Sequence, residues 1–290
     1  MYNNPIHVSA SIVGGIGDII YGLEGFREIC EFASIDGDRS SIETKCYLVT
    51  HCSEGGTLVR SNPFVDHVTN IRFNHNLSHL GILRKKTDKD STFMGMATSY
   101  CYTMHPQLHI NNEIRERVSR KYIDSNKHTI VLHPFGSEFS RFFLGSQRMV
   151  STKELMSTIW EQIIDRFNSD YFNVYIVGGA NDNKIIQTWK LGNAKSLCGK
   201  LSILESIALI MQSSAVVGVD SFAKTISLVS QLPTVVFVND HHDKHRDETF
   251  LNPYKTQEHT SIIHNANLIP IDQLVDRTHR TIIGGIDAKN

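Results

Sequence analysis

Two glycine- and serine-bearing turns in this chain place charged side chains where a hydroxyl could be deprotonated or an anion held. In the first, Gly14-Gly15-Ile16-Gly17-Asp18 follows the alternating run Ile6 to Val13 and precedes Ile19, Ile20, Leu23, Phe26 and Ile29 at helical spacing. It therefore reads as a strand, a glycine turn and a helix. Asp18 falls at the helix start, where the dipole keeps its carboxylate ionised and able to accept a proton. The same position suits a plain helix cap equally well. Gly15-x-Gly17-x-x-Ile20 lacks the third glycine of a dinucleotide fingerprint, no acidic residue closes a clear second strand, and no Gly-Lys-Ser/Thr follows. Hydride transfer and a Walker-type phosphate loop are both disfavoured.

The second turn is Asp220-Ser221, between the apolar run Ala215 to Val219 and a helical stretch through Leu232. Unpaired amides at a helix start, together with the positive end of its dipole, favour a diphosphate, and Lys224 in the first turn adds a full charge. Capping by Asp220 or Ser221 is the competing role. A third cluster, His241-His242-Asp243-Lys244-His245 beside Arg246, Asp247 and Glu248, has no companion cluster at fixed spacing. It reads as a solvated loop or an acceptor-facing wall, and no metal site is expected.

The elements that position these turns are regular in the second half. Thr129 to His133 is a buried-type strand stopped by Pro134. Ser151-Thr-Lys-Glu154 is a capping box for a helix running to about Phe167, and Ser202-Ile-Leu-Glu205 is another, opening a helix through Gln212. Asn173 to Val177 ends in Gly178-Gly179, Lys195 to Cys198 is a short strand, Pro233 introduces a strand from Thr234 to Val238, and Ile271 to Ile282 reads as a last helix. Strands this apolar, alternating with helices, predict a parallel sheet covered on both faces. Ligands of such sheets bind beyond the carboxyl ends of the strands, so the loops that matter are 14–18, 133–148, 178–182, 198–202 and 220–225.

The first half is less regular. Strands are expected at Lys45 to Thr50 and Val65 to Ile71, while residues 73–105 carry mixed signals. Phe93, Met94, Met96, Tyr100, Tyr102 and Met104 in that stretch read as core in preference to an acceptor surface. The basic cluster Arg115, Arg117, Arg120 and Lys121 is interleaved with Glu113 and Glu116 and reads as a solvated helix face, with an acceptor-binding surface as the alternative.

The chain has 290 residues, 40% of them hydrophobic and 20% charged, enough for two cores of ordinary size. A net charge of −1 gives no global field toward nucleic acid or an anionic membrane, so such a partner would need a local patch. Cys30, Cys46, Cys52, Cys101 and Cys198 show no CxxC spacing and are odd in number. With no apolar leader and no membrane-length segment, the chain is expected to be reduced and cytoplasmic.

Taken together, the motifs resemble glycosyltransferase family 9, the lipopolysaccharide heptosyltransferase-like enzymes. Leu197-Cys-Gly199-Lys200-Leu-Ser202-Ile-Leu204-Glu205 resembles its Gly-Lys-Thr-Ser-Leu segment, and Val217-Gly-Val-Asp220-Ser221 its Val-Gly-Asn-Asp-Ser strand end. His133-Pro134-Phe135-Gly136 resembles its His-Pro-Gly turn, Gly178-Gly179 its diglycine, and Gly17-Asp18 the Gly-Asp that carries the general base. The likeness is clearest over residues 12–29 and 129–240. It departs where the family continues Asp-Ser-Gly-x-x-His: Phe222 stands for the glycine and Thr225 for the histidine, with Lys224 just before it.

The resemblance implies an α/β protein of GT-B fold, two Rossmann-like doubly wound domains facing across a cleft. Residues 1–127 would form the acceptor-side domain and 128–265 the nucleotide-sugar domain. Residues 266–290 would be a C-terminal helix and tail with room to pack back on the first. It implies inverting transfer from a nucleoside-diphosphate sugar, without metal or other cofactor. Asp18 would be the base, with Gly15 and Gly17 on the acceptor side. Ser221, Lys224, Thr225, Arg148 and Arg141 would hold the diphosphate, and Gly178, Gly179, Cys198, Gly199, Lys200, Leu201 and Asp220 the nucleoside. The acceptor would be a glycan or lipid-linked saccharide, with a hydroxylated base in DNA as the alternative. A sugar-nucleotide epimerase or hydrolase, or a non-catalytic nucleotide-binding module, are the readings from other classes.

Overall fold

A computed structural model describes residues 6–13, 15–34, 42–50, 54–72, 106–136, 155–238, 251–252 and 259–289. The chain divides into two compact units, Met1–His109 and Ile110–Asn290.

In the first unit, strands β1 (Ile6–Val13), β2 (Ile42–Thr50) and β3 (His67–Arg72) form a parallel sheet in the order β1-β2-β3, with helices α1 (Ile16–Ala33) and α2 (Gly55–Arg60) between them. Val8 and Ile12 of β1 and Cys46 and Leu48 of β2 are buried, as are Ile19, Leu23 and Phe26 along one face of α1. A helix laid on a parallel sheet buries such a stripe and contributes about 1.5–3 kcal/mol per large side chain. Gly22 lets α1 come close, since a Cβ there would stand 2.8 Å from Ile12.

The second unit begins with α3 (Asn112–Tyr122), whose sequence face was read as solvated, and Val118 is its one buried residue. The helix belongs to this unit. Arg117 donates to Glu205 Oε1 at 3.0 Å, and Gln212 donates to the carbonyl of Arg115 at 3.1 Å. Then follow β4 (His128–His133), α4 (Ser157–Arg166), β5 (Phe172–Ile176), α5 (Ala180–Ile186), β6 (Lys195–Ser196), α6 (Ile203–Met211), β7 (Ala215–Val219), α7 (Phe222–Val229), β8 (Thr234–Val238), β9 (Thr260–His264) and α8 (Ile271–Asp287).

All six strands run parallel in the order β6-β5-β4-β7-β8-β9. This is the doubly wound order, whose direction of winding reverses between β4 and β7. The central strands are buried on both faces, β7 along its whole length, as their unbroken Val/Ile/Leu runs require. The core joins Trp160 and Ile163 of α4 and Phe167 at its C-cap to Val217, Val235 and Phe237 of the sheet. Helix α8 lays Leu274, Val275, Ile282 and Ile286 into the same cluster.

Ser151 to Glu154 lie outside the described residues, and α4 starts only at Ser157, with Met156 in non-helical backbone as its N-cap, so that box does not open it. The second box forms: Ser202 Oγ accepts the Glu205 N–H at 3.3 Å, and Ser202 N–H donates to Glu205 Oε2 at 2.9 Å. That backbone bond, ahead of the pairing with Arg117, holds the Glu205 carboxyl below its ordinary value.

Candidate active site

The winding reversal opens a crevice beyond the carboxyl ends of β4 and β7, and His133 and Asp220-Ser221 stand there. His133 is in register with Gly218, where a Cβ would lie 3.0 Å from the His133 carbonyl oxygen, so the two strand ends are held close. Ser221 is the N-cap residue of α7 and has extended backbone there, yet its hydroxyl makes no cap bond. It sits instead 2.9 Å from Nδ1 of the buried His133. The Ser221 hydroxyl thus does not cap the first turn of α7, the end of a helix that favours negative charge.

Lys224 is in that first turn, but its ammonium is 2.8 Å from Oδ1 of Asp220, and their side chains are only 4% and 8% exposed. The charge expected to face a diphosphate is thus answered within the chain. Thr225 is buried too, its N–H closing the first helical bond to the Ser221 carbonyl at 3.4 Å. Phe222, at the glycine position of the resemblance, packs edge-on against His133 with ring centroids 4.8 Å apart.

The loops after β5 and β6 meet beside this crevice. Gly199 N–H donates to the Gly178 carbonyl at 3.0 Å. Gly199 has φ +69°, and a Cβ on it would fall 2.8 Å from Cα of Ala180. On Gly178 a Cβ would strike Asp182 and Phe135 at 2.8 and 2.9 Å. Both glycines are therefore required by close approach. The thiol of Cys198 faces the core, directed at the Ile176 carbonyl, and burial pushes it up to about 11. Its contribution to a ligand would have to come from its backbone. Lys200 is exposed and donates to the Ser196 carbonyl at 2.7 Å, and Leu201 is half-buried beside it.

Asp18 sits in the third position of α1, half-buried, with Oδ2 accepting the Gly15 N–H at 2.8 Å. Among the described residues its Oδ1 makes no hydrogen bond. One carboxylate oxygen thus anchors the turn. Gly17 is half-buried in the first turn of the same helix. Asp182 makes the same bond to the Gly179 N–H, at 2.7 Å. Gly-Gly-x-x-Asp at 14–18 and at 178–182 is one capping device used in both units. The spacing was visible in the sequence, and Asp182 could have been found from it.

Arg141, Arg148, Gly14 and the cluster His241 to His245 lie outside the described residues. Among the described residues no three metal-ligating side chains gather, and no helix is long and apolar enough to cross a membrane. The sequence shows His133 only as part of a turn. Its partner is 88 residues away in the chain, which local spacing cannot show.

The profile of glycosyltransferase family 9 (heptosyltransferase) matches residues 80–259. No curated protein matches the chain by sequence. Among solved structures, the chain is similar to E. coli ADP-heptose lps heptosyltransferase II, with a TM-score of 0.60 and 11% identity, covering 97% of this chain and 99% of that one. It is similar to a family 9 glycosyl transferase from Veillonella parvula, with a TM-score of 0.63 and 12% identity over 98% and 99%. It is also similar to E. coli heptosyltransferase WaaC with ADP-2-deoxy-2-fluoro heptose, with a TM-score of 0.53 and 10% identity over 98% and 100%. At such identities the likeness establishes the fold, an α/β fold of the GT-B heptosyltransferases. The matched family profile covers well over half of the chain, which is therefore a glycosyltransferase belonging to glycosyltransferase family 9.

Proposed function

We propose that the chain transfers a heptosyl or related glycosyl group from a nucleoside-diphosphate sugar to a hydroxyl of a lipopolysaccharide-like saccharide, with inversion at the anomeric carbon. The observation that carries this reading is the start of α7 at the winding reversal, an end that favours an anion, where the Ser221 hydroxyl makes no cap bond and lies against His133. Support for the donor class comes from the relatives, which include WaaC with ADP and with ADP-2-deoxy-2-fluoro heptose.

In the proposed step the acceptor oxygen attacks the anomeric carbon while Asp18 takes the hydroxyl proton through Oδ1. The bond from that carbon to the diphosphate oxygen breaks, and its electron pair leaves with the diphosphate. Amides of residues 222 and 223 and the Ser221 hydroxyl meet the developing charge, joined by Arg148 and Arg141, so that a divalent ion is not required. Lys224, paired with Asp220, and Thr225, bonded through its N–H to the Ser221 carbonyl, hold this turn in place. The nucleoside would lie along Gly178, Gly179 and the Cys198–Leu201 loop, near Asp220. Buried free thiols at Cys46 and Cys198 suit a reducing, cytoplasmic setting.

The test is release of ADP from ADP-heptose by the full chain, with and without a heptose-deficient lipopolysaccharide core as acceptor. Acceptor-dependent release supports transfer. Donor consumption without acceptor would point to a hydrolase or epimerase, and consumption of no nucleotide sugar in either arm would refute the proposal.

A further inference from the structure

We propose that His133 is a positioning residue that acts through Ser221: its Nδ1–H donates to the serine oxygen and so turns the hydroxyl proton toward the diphosphate of the donor. This rests on the donor-site reading above. A hydroxyl has one proton and two lone pairs. If Ser221 donated to His133, its lone pairs would face the anion and repel it. If His133 donates to Ser221, the hydroxyl proton is released for a third group, and the nearby helix start is where an anion is favoured.

Three observations support that arrangement. The serine forgoes the cap bond that its position offers, although its hydroxyl is within 2.9 Å of the imidazole. The imidazole packs against Phe222 and Phe135, whose rings are nearly perpendicular to it at 81° and 84° with centroid distances of 4.8 and 6.3 Å. Its backbone is fixed by the close approach of Gly218. A ring packed against two aromatic neighbours and fixed from its own strand holds Nδ1 at Ser221 before the donor binds. As the sugar–oxygen bond breaks, the hydroxyl strengthens its hydrogen bond to the departing oxygen, and no proton is transferred.

The experiment is calorimetric titration of the full chain with ADP, GDP, UDP and CDP, followed by variants with the diphosphate bound best. Ser221→Ala is expected to weaken binding at least about tenfold, the worth of a hydrogen bond to a charged group. His133→Phe should weaken it as much although the hydroxyl remains, and the double variant should bind no worse than Ser221→Ala alone. His133→Asn, which can place an N–H where Nδ1–H stood, should retain most of the affinity, whereas His133→Gln should not. The matching nucleoside, without phosphates, should bind all variants alike. Should His133→Phe fail to melt cooperatively, the Asn and Gln pair decides. Undiminished diphosphate binding in His133→Phe or in His133→Gln, losses that add in the double variant, or a parallel loss for the nucleoside would overturn the inference. Binding of none of the four diphosphates by the unchanged protein would instead refute the donor-site reading itself.

Discussion

The ammonium of Lys224 lies 2.8 Å from the carboxylate of Asp220, and both side chains are buried at the start of α7. Removing one partner of such a pair leaves the other charge buried and uncompensated, at a cost of about 3–5 kcal/mol. Lys224→Met is therefore expected to lower unfolding stability by that amount, and Lys224→Met combined with Asp220→Asn to recover part of it. Urea unfolding of the three proteins measures both.

Asp18 joins two roles that one substitution separates. In Asp18→Asn the amide oxygen can still accept the Gly15 N–H, so thermal unfolding should be little changed while transfer falls by about 10²–10⁴-fold. Asp18→Ala should lose the activity and also about 1 kcal/mol of stability with the cap. Equal activity in Asp18→Asn and the unchanged protein would remove Asp18 from the chemistry.

Gly199 and Gly192 both have positive φ, +69° and +51°, but their surroundings differ. A Cβ on Gly192 meets nothing nearer than 3.5 Å, whereas on Gly199 it meets the Ala180 backbone at 2.8 Å. Gly192→Ala should cost about 1 kcal/mol from backbone strain alone, and Gly199→Ala about 2–4 kcal/mol because the 178–180 loop must move as well. Denaturation midpoints give the order. Gly199→Ala should also weaken nucleotide binding.

Burial pushes the Cys46 thiol up to about 12 and the Cys198 thiol up to about 11, from an ordinary value of 9.0. A group whose folded value is raised contributes stability that is complete below its unfolded value and is lost as pH climbs toward the folded one. Stability should accordingly fall from about pH 9 upward as the unfolded chain ionises these thiols and the folded one does not. Unfolding followed from pH 7 to 10.5 checks the sign. Peptide mass mapping after native iodoacetamide treatment at pH 8 should find both residues unmodified.

Much of the second unit was legible because its central strands are continuous apolar runs. Ala215–Val219 and Thr234–Val238 have the bounds expected from sequence, since strands buried on both faces leave no other reading. Strand β9 was missed because an edge strand such as Thr-Ser-Ile-Ile-His is mostly half-exposed and carries no periodic signal. At the site, the helix start after Ser221 was legible from the strand before it. The partner of Lys224 was not foreseen, although Asp220 stands only four residues earlier, because propensity and pattern say which charges are near and not which are desolvated together. The pairing of Ser221 with His133 joins two strands adjacent in the sheet but distant in sequence, and follows only from the strand order.

Hydrogen–deuterium exchange with and without a saturating nucleoside diphosphate tests the central claim most directly, since it reports where the donor binds without requiring the acceptor. Protection concentrated at the amides of 178–182, 198–202 and 221–225 is the expected result. Protection confined to other segments, or none at these three loops under saturation, would contradict the placement of the donor beyond β4 and β7.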